Sequence, residues 1–394
     1  MAREPDPYDL LGLDSLLDET ERMMRDSVRR FVADRVLPDI GRWFEEAHFP
    51  VELAKELGSL GLLGMHLEGY GCAGTSATAY GLACQELEAG DSSVRSFASV
   101  QGSLVMYAIH RYGTEEQKQA WLPAMAAGEA IGCFGLTEAD AGSDPAGMRT
   151  TARRDGDDWV LDGSKMWITN GGIADVAVVW AQTDEIGDPT GIRGFLVPTD
   201  ASGFTANPIH QKLSLRASVT SELVLDGVRV PAGAQLPAAE GLAGPLRCLN
   251  EARLGIVFGA AGAARACYES ALEYATTREQ FGRQIGGFQL QQGKLVDMLQ
   301  RVQRSQLVAL HLGRRKDEGT LRPEQVSFGK LHNVNDALEV ARTARQVLGG
   351  NGITLEYPVM RHANNLESLV TYEGTADVHT LVLGRAVTGL NAFA

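Results

Sequence analysis

Apolar residues in the first third of the chain recur at helical spacing. From about Leu16, Leu17, Met24, Val28, Phe31 and Val32 mark one face, and Pro38 follows where such a helix stops. A second segment, near Pro50 to Leu60, carries Leu53, Leu57 and Leu60 on one side. The glycines and aromatics of GLLGMHLEGYGCAG predict a loop, and Thr78 to Glu88 returns to a helix. Residues 96 to 112 supply further helix, with Val100, Leu104, Tyr107 and Ala108 inward. Thr114 followed by Gln117 predicts a capping box. Residues 1–130 therefore read as a helical domain.

At Ile131 the period changes. Short extended runs, Trp159 to Leu161, Lys165 to Thr169, Val176 to Trp180, Phe195 to Val197 and Leu223 to Leu225, are separated by glycine, aspartate and proline turns. Asp162-Gly163 predicts a hairpin turn. Without long helices between the runs, residues 131–237 read as an antiparallel β domain, not a Rossmann unit. Helical periodicity resumes after Gly255 and predicts helices to about Thr276, from Gln289 to Arg315, from Pro323 to Leu348 and from Val378 to Leu390. Leu295, Leu299 and Val302 share a face of the second. Leu331, Val334, Leu338, Ala341 and Leu348 point inward on the third. Residues 238–394 thus form a helical bundle, and the fold class is α+β.

A length of 394 residues asks for two or three domains, and 44% hydrophobic residues fits a globular chain. A formal charge of -14 argues against nucleic-acid binding. Cys72, Cys84, Cys133, Cys248 and Cys267 have neither metal nor disulfide spacing and read as reduced thiols. The segment MAREPDPYDLLGLD has no apolar signal core and is too acidic for a typical transit peptide. No apolar run could span a membrane, so a soluble, cytoplasmic protein is expected.

The candidate chemistry centres on Glu373 in Thr-Tyr-Glu-Gly-Thr-Ala-Asp. Aliphatic residues flank it on both sides, Leu366, Leu369 and Val370 before and Val378, Leu381, Val382 and Leu383 after. Burial would raise its pKa and suit it to accept a proton near neutral pH. The alternative is a turn between helices made by Glu-Gly, with a cap from Thr375 or Asp377. In Phe134-Gly135-Leu136-Thr137 and Gly142-Ser143, glycines permit close approach by a flat or phosphorylated ligand, and Thr137 and Ser143 offer hydrogen bonds. Trp167, Ile168 and Thr169 could add an aromatic wall and a hydroxyl. No dinucleotide fingerprint or Walker sequence is present, which favours a flavin over a nicotinamide or a nucleoside triphosphate.

These words, CFGLTEADAGSD, DGSKMWITNG, TREQFG, QVLGGNG and TYEGTADVHTLVLGR, together resemble the acyl-CoA dehydrogenase family over nearly the whole chain. Within it, VRSFASVQGSLVM, LRCLNEARLG and VTGLNAFA look most like the glutaryl-CoA dehydrogenases. The resemblance implies an N-terminal helical domain, a middle antiparallel β domain and a C-terminal four-helix bundle. It implies FAD, held by Phe134, Gly135, Leu136, Thr137, Gly142, Ser143, Trp167, Ile168 and Thr169. A neighbouring subunit of a homotetramer would meet FAD through Arg278, Phe281 and Gln289, with Gln346, Val347, Leu348, Gly349, Gly350, Thr375 and Asp377 completing the site.

For the substrate, the resemblance implies glutaryl-CoA or a related short acyl-CoA. It implies Glu373 as the catalytic base, with Ser143 near the thioester carbonyl, Asn250 and Arg253 near the acyl-CoA channel, and Tyr372 and Gly374 beside the reactive chain. Asn250 is an amide where related enzymes often have an aspartate. The resemblance implies that Arg95, assisted by Ser96 or Ser99 and tuned by Glu88, meets the terminal carboxylate; a cap or an acidic partner is the alternative for Arg95. Electron-transferring flavoprotein is the implied acceptor, no metal is expected, and decarboxylation to crotonyl-CoA is the leading reaction. Dehydrogenation without decarboxylation, another short-chain acyl-CoA substrate, or a flavin-binding homologue without dehydrogenation are the alternatives.

Overall fold

A reciprocal capping box opens the first long helix: the Asp18 carboxylate accepts from the Glu21 N–H, and the Glu21 side chain accepts from the Asp18 N–H. The computed structural model describes residues 6–393, so the first five residues of the acidic N-terminal segment lie outside it. Helix α1 (Glu19–Phe31) is followed by α2 (Ile40–Glu46), α3 (Leu53–Ser59), α4 (Ala77–Gly90), α5 (Ser92–Ser99), α6 (Tyr107–Tyr112) and α7 (Glu115–Ala126). The Thr114–Gln117 capping box is present at the start of α7. Leu60 departs from expectation: α3 ends at Ser59, so Leu60 falls off the buried face and is exposed. Between α5 and α6 the chain widens into a π-helical stretch, Val100–Met106, so residues 92–112 form one rod with a change of winding.

The strands are β1 (Gly132–Gly135), β2 (Thr151–Asp155), β3 (Asp158–Thr169), β4 (Val176–Gln182), β5 (Ile192–Pro198), β6 (Phe204–Pro208) and β7 (Thr220–Pro231). They form one sheet in the order β1-β4-β2-β3-β7-β6, with β5 also paired to β4. The long ladders are antiparallel; β1 joins β4 in parallel register, as a strand arriving from the helical domain can. Asp162-Gly163 does not make the expected hairpin turn. The turn lies earlier, at Gly156 with φ 63°, and the two expected runs fuse into β3. At position 163 the ladder carries an irregularity, and a Cβ there would lie 2.5 Å from Thr150 Oγ1. Asp162 instead accepts from the Gly227 N–H on β7 at 2.8 Å.

The C-terminal part holds α8 (Ala243–Thr277), a short hairpin of β8 (Glu279–Gln280) and β9 (Arg283–Gln284), α9 (Gln289–Asp317), α10 (Pro323–Leu348), α11 (Pro358–Thr371) and α12 (Ala376–Thr388). Helix α8 starts well before Gly255, and its added turns place Asn250 and Arg253 one turn apart. Helix α11 was not anticipated. Glycine lets α4 lie directly on α8: a Cβ at Gly262 would stand 1.9 Å from the Gln85 carbonyl oxygen. This contact seats α4 against α8, with Glu88 close to Gly259.

One buried carboxylate ties the parts together. Asp91 caps α5 through the Ser93 N–H at 2.7 Å, and its other oxygen accepts from Arg361 and Asn365 of α11. Asn365 in turn accepts from the backbone of Leu215, in the loop between β6 and β7, at 2.7 Å.

Candidate active site

Glu373 lies in the turn between α11 and α12, where the expected helix-connecting turn and a buried carboxylate occur together. Its backbone is left-handed, φ 51°, followed by Gly374 at φ 93°. Thr375 caps α12 by accepting from the Val378 N–H at 3.2 Å, leaving Asp377 exposed. The carboxylate nevertheless turns inward: its Oε2 is closed off from solvent and has no hydrogen-bond partner among the described residues. Burial raises its pKa, while the charges of Arg95, Lys330 and Arg253 pull in the opposite direction without cancelling the rise.

A chain of polar contacts leads away from Glu373. Arg95 on α5, 1% exposed, donates through Nε to Glu88 on α4 and through Nη2 to the Tyr372 hydroxyl. Burial works against the guanidinium charge, but Glu88 and Tyr372 more than compensate and hold it above its ordinary range. Glu88 therefore supplies the acidic partner foreseen as the alternative reading. Arg95 Nη1 makes no hydrogen bond among the described residues, and the Ser99 hydroxyl beside it in the same helix is also unpartnered; Ser96 is buried. On α8, Arg253 donates to the Glu373 carbonyl oxygen at 2.8 Å and to Asn250 Oδ1 at 2.9 Å. The departure at Asn250 is thus accommodated as an acceptor for Arg253.

The proposed flavin words meet on the sheet. The Met166 N–H donates to the Thr137 carbonyl oxygen at 2.8 Å, joining Phe134–Thr137 to Trp167–Thr169. Buried Lys165 bonds Glu138 at 2.7 Å, and Glu138 also accepts from the Arg149 and Thr150 N–H groups. These bonds close the loop whose exposed tip carries Gly142 and Ser143. Sequence reasoning missed this pair; a lysine and a glutamate within otherwise apolar strand ends were the available signal. Phe134, Leu136 and Ile168 pack their side chains into cores, so what they present outward is backbone. Trp167 does the reverse, with φ 65° and 60% exposure.

The second group gathers at the end of the bundle. Arg278 follows α8, and Phe281, with φ 52° and 94% exposure, tips the β8–β9 hairpin; Gln289 begins α9. Asn351 donates to the Tyr274 hydroxyl at 3.2 Å, fastening the turn at Gly349 and Gly350 to the C-terminal end of α8. Gln346 is exposed here, whereas Val347 and Leu348 point into the bundle core. Arg278 makes no side-chain hydrogen bond or ion pair among the described residues. Outward aromatics, glycine-lined backbone and an unpaired guanidinium fit a flat ligand bearing phosphates. No group of acidic, histidine or cysteine side chains suited to a metal occurs among the described residues. The five cysteines are free thiols.

Comparison with known proteins agrees with this geometry. Residues 18–129, 133–228 and 239–388 match the N-terminal, middle and C-terminal domains of acyl-CoA dehydrogenases. The mitochondrial short-chain specific acyl-CoA dehydrogenase of Bos taurus is 36% identical over 93% of this chain and 90% of its own length. A glutaryl-CoA dehydrogenase from Mycobacterium smegmatis, solved in complex with FADH2, is 63% identical with a TM-score of 0.97 over 99% of this chain and 100% of its own. A glutaryl-CoA dehydrogenase solved with glutaryl-CoA is 32% identical with a TM-score of 0.91, over 95% and 97% of the two chains. The carboxylate between the last two helices, the outward aromatic edge of the sheet and these matches lead to one conclusion: the chain is an FAD-dependent enzyme of the acyl-CoA dehydrogenase family.

Proposed function

We propose that the enzyme dehydrogenates glutaryl-CoA and decarboxylates the product to crotonyl-CoA. The observation that carries this is Arg95: a buried guanidinium whose Nε and Nη2 are occupied by Glu88 and Tyr372 while Nη1 remains free. A short acyl chain ending in a methyl group cannot use that donor, whereas a terminal carboxylate can. Glu373 takes the proton α to the thioester carbonyl. FAD, when bound, supplies the acceptor for the hydride of the β carbon. The terminal carboxylate of the resulting glutaconyl-CoA then leaves as carbon dioxide. Its electron pair moves through the new double bond toward the thioester carbonyl, and a proton returned to the chain gives crotonyl-CoA. On this reading protonated Glu373 returns that proton.

Phe134 to Thr137, Gly142, Ser143 and Trp167 to Thr169 would hold the flavin. Arg278, Phe281, Gln289, Gln346 to Gly350, Thr375 and Asp377 would serve the dinucleotide of a neighbouring subunit. A homotetramer is supported by apolar side chains left open on the bundle, among them Phe281, Leu290 and Val387. Ser143, Asn250 and Gly374 complete the thioester channel. Electrons leave to an electron-transferring flavoprotein, the acceptor implied by the resemblance. A cytoplasmic enzyme is in keeping with the absence, among the described residues, of a helix long and apolar enough to cross a membrane.

The likeness to the short-chain enzyme of Bos taurus favours a second reading, a monocarboxylic short acyl-CoA as substrate. Turnover of glutaryl-CoA and butyryl-CoA with mass-resolved products separates the two. Crotonyl-CoA and carbon dioxide from glutaryl-CoA are expected, with Arg95→Met lowering the glutaryl preference about a hundredfold. Because Arg95→Met strands Glu88 in the interior, Arg95→Met with Glu88→Gln should restore stability and leave the preference lost. Equal or better turnover of butyryl-CoA by the parent enzyme rejects the assignment. Glutaconyl-CoA without carbon dioxide rejects the decarboxylating step alone.

A further inference from the structure

Helix α10 is apolar along its inward face, with Val326, Val334, Ala337 and Ala341 buried, yet Lys330 occupies that same face and is 2% exposed. Its ammonium is spent on the turn that carries Glu373. Nζ donates to the Tyr372 carbonyl oxygen at 2.5 Å and to the Gly374 carbonyl oxygen at 2.6 Å. The carbonyl between them, that of Glu373, accepts from Arg253 Nε at 2.8 Å. Three consecutive carbonyl oxygens are thus held by two cations from two different helices, buried Lys330 and half-buried Arg253. The arrangement explains why a non-glycine residue sits at φ 51°, a conformation that costs about 1–2 kcal/mol. The next position has to be glycine: its φ is 93°, and a Cβ there would lie 2.8 Å from His379 Nε2.

We propose that Lys330 is a positioning residue for the base: by clamping the carbonyls on either side of Glu373 it fixes the left-handed turn, and its charge favours the carboxylate form. The proposal rests on the reading of Glu373 as the base. The charged and titratable groups that face the clamp are Glu373 and Tyr372 on the turn, Arg253 from α8, Arg95 from α5 with Glu88 of α4 behind it, and His379 from α12. His379 has both ring nitrogens unpartnered, and burial, together with the Lys330 and Arg253 charges, pushes it down to about 3, so it contributes no charge at neutral pH. Burial lowers the Lys330 pKa as well, and Glu373 counters that fall, so the two charges support each other.

The test isolates proton abstraction from the oxidation that follows it. An acyl-CoA with α hydrogens and a quaternary β carbon, such as 3,3-dimethylbutyryl-CoA, can exchange its α hydrogen for solvent deuterium but has no β hydride to lose. Holoenzymes of the parent, Lys330→Met, Lys330→Gln and Glu373→Gln are incubated with it in heavy water across the neutral pH range. Deuterium incorporation is followed by mass spectrometry, with flavin content and thermal melting measured alongside. Lys330→Met is expected to slow exchange about a hundredfold at neutral pH while retaining flavin. Its pH midpoint should move to the alkaline side, because loss of a neighbouring cation makes the carboxylate harder to form. Lys330→Gln, which keeps N–H donors without the charge, should lose less rate and show the same alkaline displacement; it carries the test if Lys330→Met does not fold. A slower but unmoved pH profile, with a lower melting temperature, would reduce Lys330 to a structural role and overturn the proposal, as would parental rate and midpoint in both variants. Exchange by Glu373→Gln at the parental rate would remove the base assignment itself, and the proposal with it.

Discussion

The two sides of the site are built on opposite plans. Around Glu373 the protein has gathered buried charge and engaged most of it: Arg95 with Glu88 and Tyr372, Arg253 with Asn250 and the turn, Lys330 with the carbonyls beside the base. On the side proposed for the flavin, the side chains that reach outward, Trp167, Phe281 and Arg278, have little to hold them. On the proposed reading, the acid–base half is held in place by the protein's own contacts, as electrostatic catalysis requires, and the cofactor half leaves its outward side chains for FAD.

The sharpest way to break this contrast is at the base. Glu373→Gln keeps the size and polarity of the side chain but cannot take a proton, and flavin reduction at saturating acyl-CoA should fall roughly a thousandfold or more. Stopped-flow absorbance at matched substrate occupancy measures it, and flavin content should not change. An undiminished rate would move the base elsewhere and dissolve the contrast.

A smaller effect is expected from Trp167→Gly. Glycine adopts φ 65° without strain, so the apoprotein should melt no lower than the parent, whereas FAD should be held about tenfold more weakly. Flavin retained after ultrafiltration, beside apoprotein melting curves, gives both quantities. A destabilised apoprotein with unaltered flavin affinity would make Trp167 part of the core after all.

The smallest effect follows from proton linkage at Glu373. Its folded pKa lies above the unfolded value, so the folded apoprotein binds the proton more tightly. The stability this adds is fully present below the unfolded pKa and is lost as pH rises through the folded one. Glu373→Gln carries no such loss. Its apoprotein should melt about 1–2 °C above the parent at mildly alkaline pH, with the gap closing in acid. Melting curves of both apoproteins over that range check the sign.

Periodicity made the helical, sheet and helical parts legible, because burial of one face imposes 3.6 or 2.0 on the apolar positions. It did not find α11, whose apolar positions around Leu366 and Leu369 are interrupted by buried Arg361, His362 and Asn365. The Asp-Gly turn was misplaced because a glycine can serve equally in a hairpin or where a strand passes close to Thr150. Glu373 could be singled out from its aliphatic flanks, and Arg95 from the resemblance. The clamp under Glu373 could not: Lys330 stands 42 and 44 residues before the carbonyls of 372 and 374 that it holds, outside every one of the identifying words, and only folding brings its ammonium to them.

The meeting of α5, α11 and the β6–β7 loop at Asp91 bears on how such enzymes can be recombined. Asp91 sets the start of the helix that carries Arg95, and it is held there by Arg361 and Asn365, the latter reaching on to Leu215. A chimera that exchanges the middle segment between two relatives must therefore keep the Leu215 loop matched to its Asn365 partner. Otherwise the graft will disturb the start of the helix that carries Arg95, although Arg95, Glu88 and Tyr372 themselves have been left in place.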